Sequence, residues 1–143
     1  MSDSFAGIID LTHGIDALAF DNNGLIPAIV QDVETSRVLM LAYMNREAIT
    51  RTLTTERVTF FSRSRQAIWE KGETSGNTLQ FREMRADCDG DALLIKASPM
   101  GPTCHTGADT CWDELNEDPA AFLRLLEQVI ATREASGDDT SYT

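Results

Sequence analysis

The chain has 143 residues, 42% of them hydrophobic and 24% charged, which suits one globular domain with its own core. Its net charge of −11 is concentrated at the ends: residues 1–23 carry −4, residues 113–143 carry −6, and the Arg-rich centre is close to balanced at −1. Without a basic face the chain is not expected to bind nucleic acid, and with no apolar run of about 20 residues it is not expected to span a membrane. The first ten residues lack the basic and apolar regions of a secretory signal, and three cysteines cannot all pair with one another. Together these point to a cytoplasmic protein whose cysteines are free thiols or metal ligands.

In chain order, residues 25–30 and 38–44 are apolar runs of strand length, with 32–37 as the turn between them. Asn45 is a good N-cap for a helix reaching about Glu56, with Glu47 in its first turn. Residues 58–62 form a third strand, 67–69 start a fourth, and 79–84 alternate as a half-exposed strand should. Residues 92–95 follow a tight Asp89-Gly90 turn and pair with 79–84 as a hairpin. A last helix is capped by Asp118 and has Pro119 at its first position. Phe122, Leu125, Leu126, Val129 and Ile130 lie on one face, and Gly137-Asp138-Asp139 ends it. The sum is a β-rich α+β domain with a twisted or barrel-like mixed sheet, one central helix and one C-terminal helix.

Three constellations could carry chemistry. In Asp87-Cys88-Asp89-Gly90-Asp91, carboxylates at alternate positions share one face of a straight strand and suit a hard cation such as Mg²⁺. Asp-Gly is also the favoured hairpin turn. An EF-hand is excluded, since Ala92 stands where its Gly belongs and Ser98 where its Glu belongs. The second set is Cys104-His105-Thr106-Gly107 with Cys111, sixteen residues or more after Cys88. Three thiolates on one zinc leave a position open for water, the catalytic pattern; the alternative is three unrelated buried thiols. His105 is either a fourth ligand or a base, while His13 has no such neighbours and reads as a surface residue.

The third set is Ser62-Arg63-Ser64-Arg65 followed by residues 69–77, which include Lys71, Gly72, Thr74, Ser75, Gly76 and Asn77. Guanidinium forks match phosphate oxygens, and a loop of Gly, Thr and Ser lets backbone N–H groups approach a phosphate. It is not a Walker A loop, and a solvated turn is the plain alternative. An open zinc, a carboxylate cluster and phosphate-binding arginines together suit attack of an activated water on an electrophilic carbon of a phosphorylated ligand. The zinc deaminase signature is absent. A zinc deaminase, or a zinc-stabilised nucleotide-binding module without turnover, stands as the alternative.

From about Gly24 to Trp112 these motifs, in this order, resemble phosphoribosyl-AMP cyclohydrolase of histidine biosynthesis. The resemblance implies hydrolysis of the N1–C6 bond of the adenine ring in 1-(5-phosphoribosyl)-AMP, with Zn²⁺ and Mg²⁺ as cofactors. It implies Cys88, Cys104 and Cys111 as zinc ligands, Asp87, Asp89 and Asp91 around magnesium, and His105 as acid/base. Arg63, Arg65, Lys71, Gly72, Thr74, Ser75, Gly76 and Asn77 would hold the substrate. It further implies an intertwined homodimer, with Cys88 of one chain meeting Cys104 and Cys111 of the other. Asn77 departs from the His common in relatives, and Trp112 from the Phe. Residues 1–113 would be the cyclohydrolase domain. Residues 114–143, a C-terminal helix and tail, resemble the opening of phosphoribosyl-ATP pyrophosphohydrolase, without the acidic helices its activity needs.

Overall fold

A computed structural model describes residues 5–118 and 120–136. In chain order come strand β1 (Gly7–Ile8), a 3-10 turn (Ile15–Ala17), β2 (Ile26–Asp32), β3 (Val38–Met44) and helix α1 (Arg46–Thr55). Then follow β4 (Thr59–Ser62), β5 (Ala67–Glu70), β6 (Leu79–Ala86), β7 (Leu93–Pro99) and helix α2 (Ala121–Ser136). Five strands make one mixed sheet in the order β1-β6-β7-β2-β3, and β4 and β5 form a separate hairpin. Among the described strands, only β2 and β7 pair in parallel. The α+β class holds. The sheet is open at β1 and β3 and does not close into a barrel.

Period-2 alternation decides which face of the sheet is buried. Ile26, Ala28 and Val30 on β2 and Leu93, Ile95 and Ala97 on β7 point into the core, where Met44, Phe60, Leu79 and Met84 meet them. Pro27 is tolerated in an interior strand because the ladder to β7 starts only at Ala28. The turn at 32–37 is held by Asp32, whose buried carboxylate accepts from the N–H groups of Glu34 and Thr35 and from Nδ2 of Asn116.

Helix α1 starts as expected, with Asn45 Oδ1 accepting from the Ala48 N–H at 2.8 Å. It ends where Glu56 turns left-handed (φ 63°), and it buries Ala48, Ile49 and Thr52. Thr52 Oγ1 then accepts from the Thr59 N–H at 2.9 Å, which ties the helix to the β4–β5 hairpin. One expectation needs correction, and one element was not foreseen. The β6–β7 hairpin forms, but its ladder stops at Ala86↔Leu93, and the connection is a longer loop holding a turn over Asp87 to Gly90, closed by the Gly90 N–H on Asp87 O, rather than a two-residue Asp89-Gly90 turn. The loop closes on itself instead, because Asp87 Oδ1 accepts from the N–H groups of Asp91 and Ala92. Strand β1, paired to β6, is too short for any sequence pattern to reveal.

Asp118 Oδ1 accepts from the Ala120 N–H ahead of α2, as a cap should. Pro119 and the expected stop at residues 137–139 lie outside the described residues. The apolar face of α2 is present, but every described side chain from 121 to 135 is exposed. No helix among the described residues is long and apolar enough to cross a membrane.

Candidate active site

The acidic loop joins β6 to β7, and its three carboxylates converge. Oxygens of Asp87, Asp89 and Asp91 lie within 4.8 Å of one another, all on exposed residues. They meet because the loop folds back on itself, not because they share a strand face. Burial raises the Asp87 carboxyl, but the N–H donors of Ala92 and Asp91 outweigh it and bring Asp87 below the ordinary carboxylate range. Asp91 is pushed up, first by its hydrogen bond to Asp89, then by Asp87 and by the negative charge of both. Such a cluster holds a proton or a cation more readily than a lone carboxylate.

The second locus is the segment after β7. Met100 N–H donates to Thr78 O, and Cys111 N–H donates to Leu39 O at 2.8 Å, so residues 100–111 close over the start of β3. Cys104 and Cys111 are close enough for each to affect the other's ionisation. Thr106 Oγ1 donates to Cys104 Sγ at 3.1 Å, and this bond, helped by the Thr106 N–H, pulls the Cys104 thiol below its ordinary value. Burial and the Cys104 charge push the Cys111 thiol up, although the residue as a whole is exposed. His105 Nδ1 lies 4.0 Å from Cys104 Sγ on an exposed ring. Thr103, next to Cys104, is buried at 1% exposure, and its hydroxyl has no partner among the described residues.

Cys88 is not at this locus. It sits exposed in the acidic loop before β7, whereas Cys104 and Cys111 follow β7. That strand spans seven residues, roughly 20 Å of extended chain. Among the described residues, the acidic triad is the one cluster of three or more potential metal ligands. A single chain therefore brings two cysteines together and holds the third apart.

The β4–β5 hairpin carries the third set of residues. Its base is at Lys71, whose charge reaches both Cys104 and Cys111. Its tip carries Arg63 and Arg65. In a chain with 23 acidic residues most cations find a carboxylate, yet Arg63, Arg65 and Lys71 have none among the described residues; Arg82 has none either, but it is spent on Ser98 Oγ and Gln80 Oε1. The loop at 71–77 is tight: Gly76 N–H donates to Gly72 O at 2.8 Å, and both glycines have positive φ. A Cβ on Gly72 would lie 2.4 Å from the Asn77 carbonyl, so the loop closes only with glycine there. Asn77 packs against Gly101, where a Cβ would stand 2.3 Å from Asn77 Oδ1, and this contact joins the loop to the cysteine segment.

Sequence reasoning singled out the cysteines, the aspartates and the hairpin cations. It did not single out Thr106 or Tyr43, whose ring lies under the Arg63 guanidinium at 4.1 Å. A hydroxyl beside a thiol and an aromatic on a strand are too common to stand out without coordinates.

The family model for phosphoribosyl-AMP cyclohydrolase matches residues 40–113, which contain every site residue described above. The chain is 54% identical over 123 residues to the histidine biosynthesis bifunctional protein HisIE of Vibrio vulnificus (strain CMCP6), covering 85% of this chain and 58% of that protein. It is 54% identical over 127 residues to the protein of the same name from Bacteroides thetaiotaomicron, with 88% and 63% covered. For the one from Bacillus subtilis (strain 168) the figures are 51% over 133 residues, 90% and 64%. The chain thus spans about three-fifths of the length of these relatives. With more than half of its residues matched by that family's model, the chain belongs to the phosphoribosyl-AMP cyclohydrolase family.

Proposed function

We propose that the chain hydrolyses the N1–C6 bond of the adenine ring in 1-(5-phosphoribosyl)-AMP, a step of histidine biosynthesis. The observation that carries this reading is that the family match at 40–113 encloses the cysteine pair, the acidic loop and the hairpin cations Arg63, Arg65 and Lys71, none of which has a carboxylate partner among the described residues. The substrate bears two phosphates, and the cations lie at both ends of one hairpin: Arg63 and Arg65 at the tip, Lys71 at the base. Gly72, Thr74, Ser75, Gly76 and Asn77 form the tight loop that carries Lys71 and would line the phosphate site.

The donor sets fit the two metals to different degrees. Three convergent carboxylates match the oxygen ligation of Mg²⁺, and a cation there would relieve the mutual repulsion that raises Asp91. Cys104 and Cys111 supply two of the soft ligands zinc prefers, and a third must come from outside this chain's own pair. A homodimer that brings Cys88 of one copy to the pair of another meets that need. Cys104 and Cys111, with that third cysteine, would hold zinc, whose bound water would be acidified enough to serve as the nucleophile.

The chain's own residues then divide the remaining work. Substitution at N1 makes the C6 carbon electrophilic, so the cations need only fix the ring by its phosphates over the cysteines. His105, beside Cys104, is placed to take one proton of the attacking water and return it to N1 as the C–N bond breaks, while the second proton passes to the exocyclic nitrogen, which stays on C6 as the amide of the new carboxamide. Thr106 holds Cys104 toward its thiolate form.

The test is incubation of purified protein with 1-(5-phosphoribosyl)-AMP, with and without a zinc chelator, following ultraviolet absorbance as the ring opens. Chelator-sensitive turnover without ammonia release is expected. A folded, zinc-loaded protein that leaves the substrate intact sinks the reading in favour of a binding module, and released ammonia in favour of a deaminase.

A further inference from the structure

An aromatic ring, not a carboxylate, places the guanidinium of Arg63. Its central carbon lies 4.1 Å from the centroid of the Tyr43 ring. Around it the turn is fixed through the backbone: Gln66 Nε2 donates to Arg63 O at 2.7 Å, and Arg65 N–H donates to Ser62 Oγ at 3.2 Å. The guanidinium itself donates to no residue among those described. Tyr43, by contrast, stands on β3 and is paired with Pro27, so its ring is carried by the sheet.

A guanidinium held over a ring face by its central carbon keeps N–H groups open to an oxyanion. Arg46 shows the opposite arrangement. It lies over Phe20 at 5.8 Å, but its Nη1 is already spent on Asp16 at 2.6 Å. Arg63 is therefore both pre-oriented and unspent. A flexible side chain ordered before binding loses less entropy when a phosphate arrives.

We propose that Tyr43 is a positioning residue: its ring holds the Arg63 guanidinium in place for one phosphate of the nucleotide. The proposal rests on the reading above in which Arg63 contacts a substrate phosphate. Tyr43 acts through Arg63 and touches no reacting atom.

Steady-state kinetics of Arg63→Ala, Tyr43→Leu, Tyr43→Phe and the double variant Tyr43→Leu/Arg63→Ala test it, with Arg51→Ala on helix α1 as an unrelated control. Arg63→Ala is expected to raise KM about tenfold, and Tyr43→Leu about threefold to fivefold with a smaller change in kcat. Tyr43→Phe keeps the ring face and should hold KM within about twofold. The double variant should be no worse than Arg63→Ala alone, because the ring has nothing left to position. Calorimetric binding of inorganic pyrophosphate should follow the same order without needing turnover. Where Tyr43→Leu leaves the protein unstable, Tyr43→Met removes the ring at similar volume.

An unchanged KM and pyrophosphate affinity in Arg63→Ala would overturn the phosphate role of Arg63 and this proposal with it. A raised KM in Arg63→Ala with no effect of Tyr43→Leu, or with fully additive effects in the double variant, would overturn the role of Tyr43 alone.

Discussion

At the scale of single residues, the two cysteines after β7 are chemically unlike although they are neighbours. The hydroxyl and N–H of Thr106 stabilise the Cys104 thiolate, whereas burial and the Cys104 charge keep Cys111 protonated. Since the thiolate is the nucleophile, iodoacetamide at neutral pH should label Cys104 before Cys111 in metal-free protein. Thr106→Val should slow that labelling severalfold, read by peptide mass spectrometry, and equal rates for the two thiols would refute the asymmetry. The aspartates allow a pH prediction with a definite sign. Asp91 is raised, so its ionised form is disfavoured in the fold; its contribution to stability falls as pH rises through that raised value and is regained on acidification. Asp87 is lowered, so its contribution is present above the unfolded value and lost as pH falls through the folded one. The two oppose each other in metal-free protein. A magnesium ion bound there, as proposed, would replace the proton that Asp91 would hold, so added Mg²⁺ should raise the melting temperature at pH 7, and the gain should shrink as pH nears 4. Calorimetric scans across that range check it, and a gain that survives in Asp89→Asn would place the ion elsewhere.

Individual elements show why some of the fold was legible in the sequence and some was not. Strands β2 to β7 and helix α1 were readable because each carries a local signal: alternation in β6, apolar runs in β2 and β3, and the Asn45 cap. The parallel β2–β7 pairing and the two-residue β1 were not, since they depend on contacts distant in sequence. The acidic cluster was legible as a set, but the force that gathers it, Asp87 bonding back to the Asp91 and Ala92 N–H groups, was not. The apolar stripe of α2 was equally plain, yet a stripe does not say what covers it. The loop at 71–77 shows what one residue's size does to an element. Alanine at Gly72 must hold φ near +83° and push a methyl to 2.4 Å from the Asn77 carbonyl. We expect Gly72→Ala to cost about 2 kcal/mol in urea unfolding. It should also raise KM, because Lys71 moves with the loop. Wild-type stability in that variant would mean that the loop relaxes freely and imposes no position on Lys71.

The whole molecule sets a constraint that neither residue nor element reveals. The sheet order puts the acidic loop before β7 and the cysteine segment after it, so the strand itself keeps Cys88 from Cys104 and Cys111. Seven extended residues, roughly 20 Å, are far beyond the 2.3 Å of a zinc–sulfur bond. Bringing the three sulfurs together within one chain would require unzipping β6 from β7 and β7 from β2, which would expose the fully buried Ile95 and Ala97. If all three cysteines hold one zinc, two chains must share it, and a two-fold dimer then carries two identical sites. Complementation separates this arrangement from a site within one chain. Cys88→Ser and Cys104→Ser are each expected to be inactive alone. Mixed after mild dissociation, half of the randomly assorted dimers contain one of each, and each mixed dimer has one intact site of two. The mixture should recover about a quarter of wild-type turnover and bind about a quarter of its zinc. A mixture as inactive and zinc-free as its components would show that the site does not draw its cysteines from two chains, and the proposed dimer would lose its chemical reason.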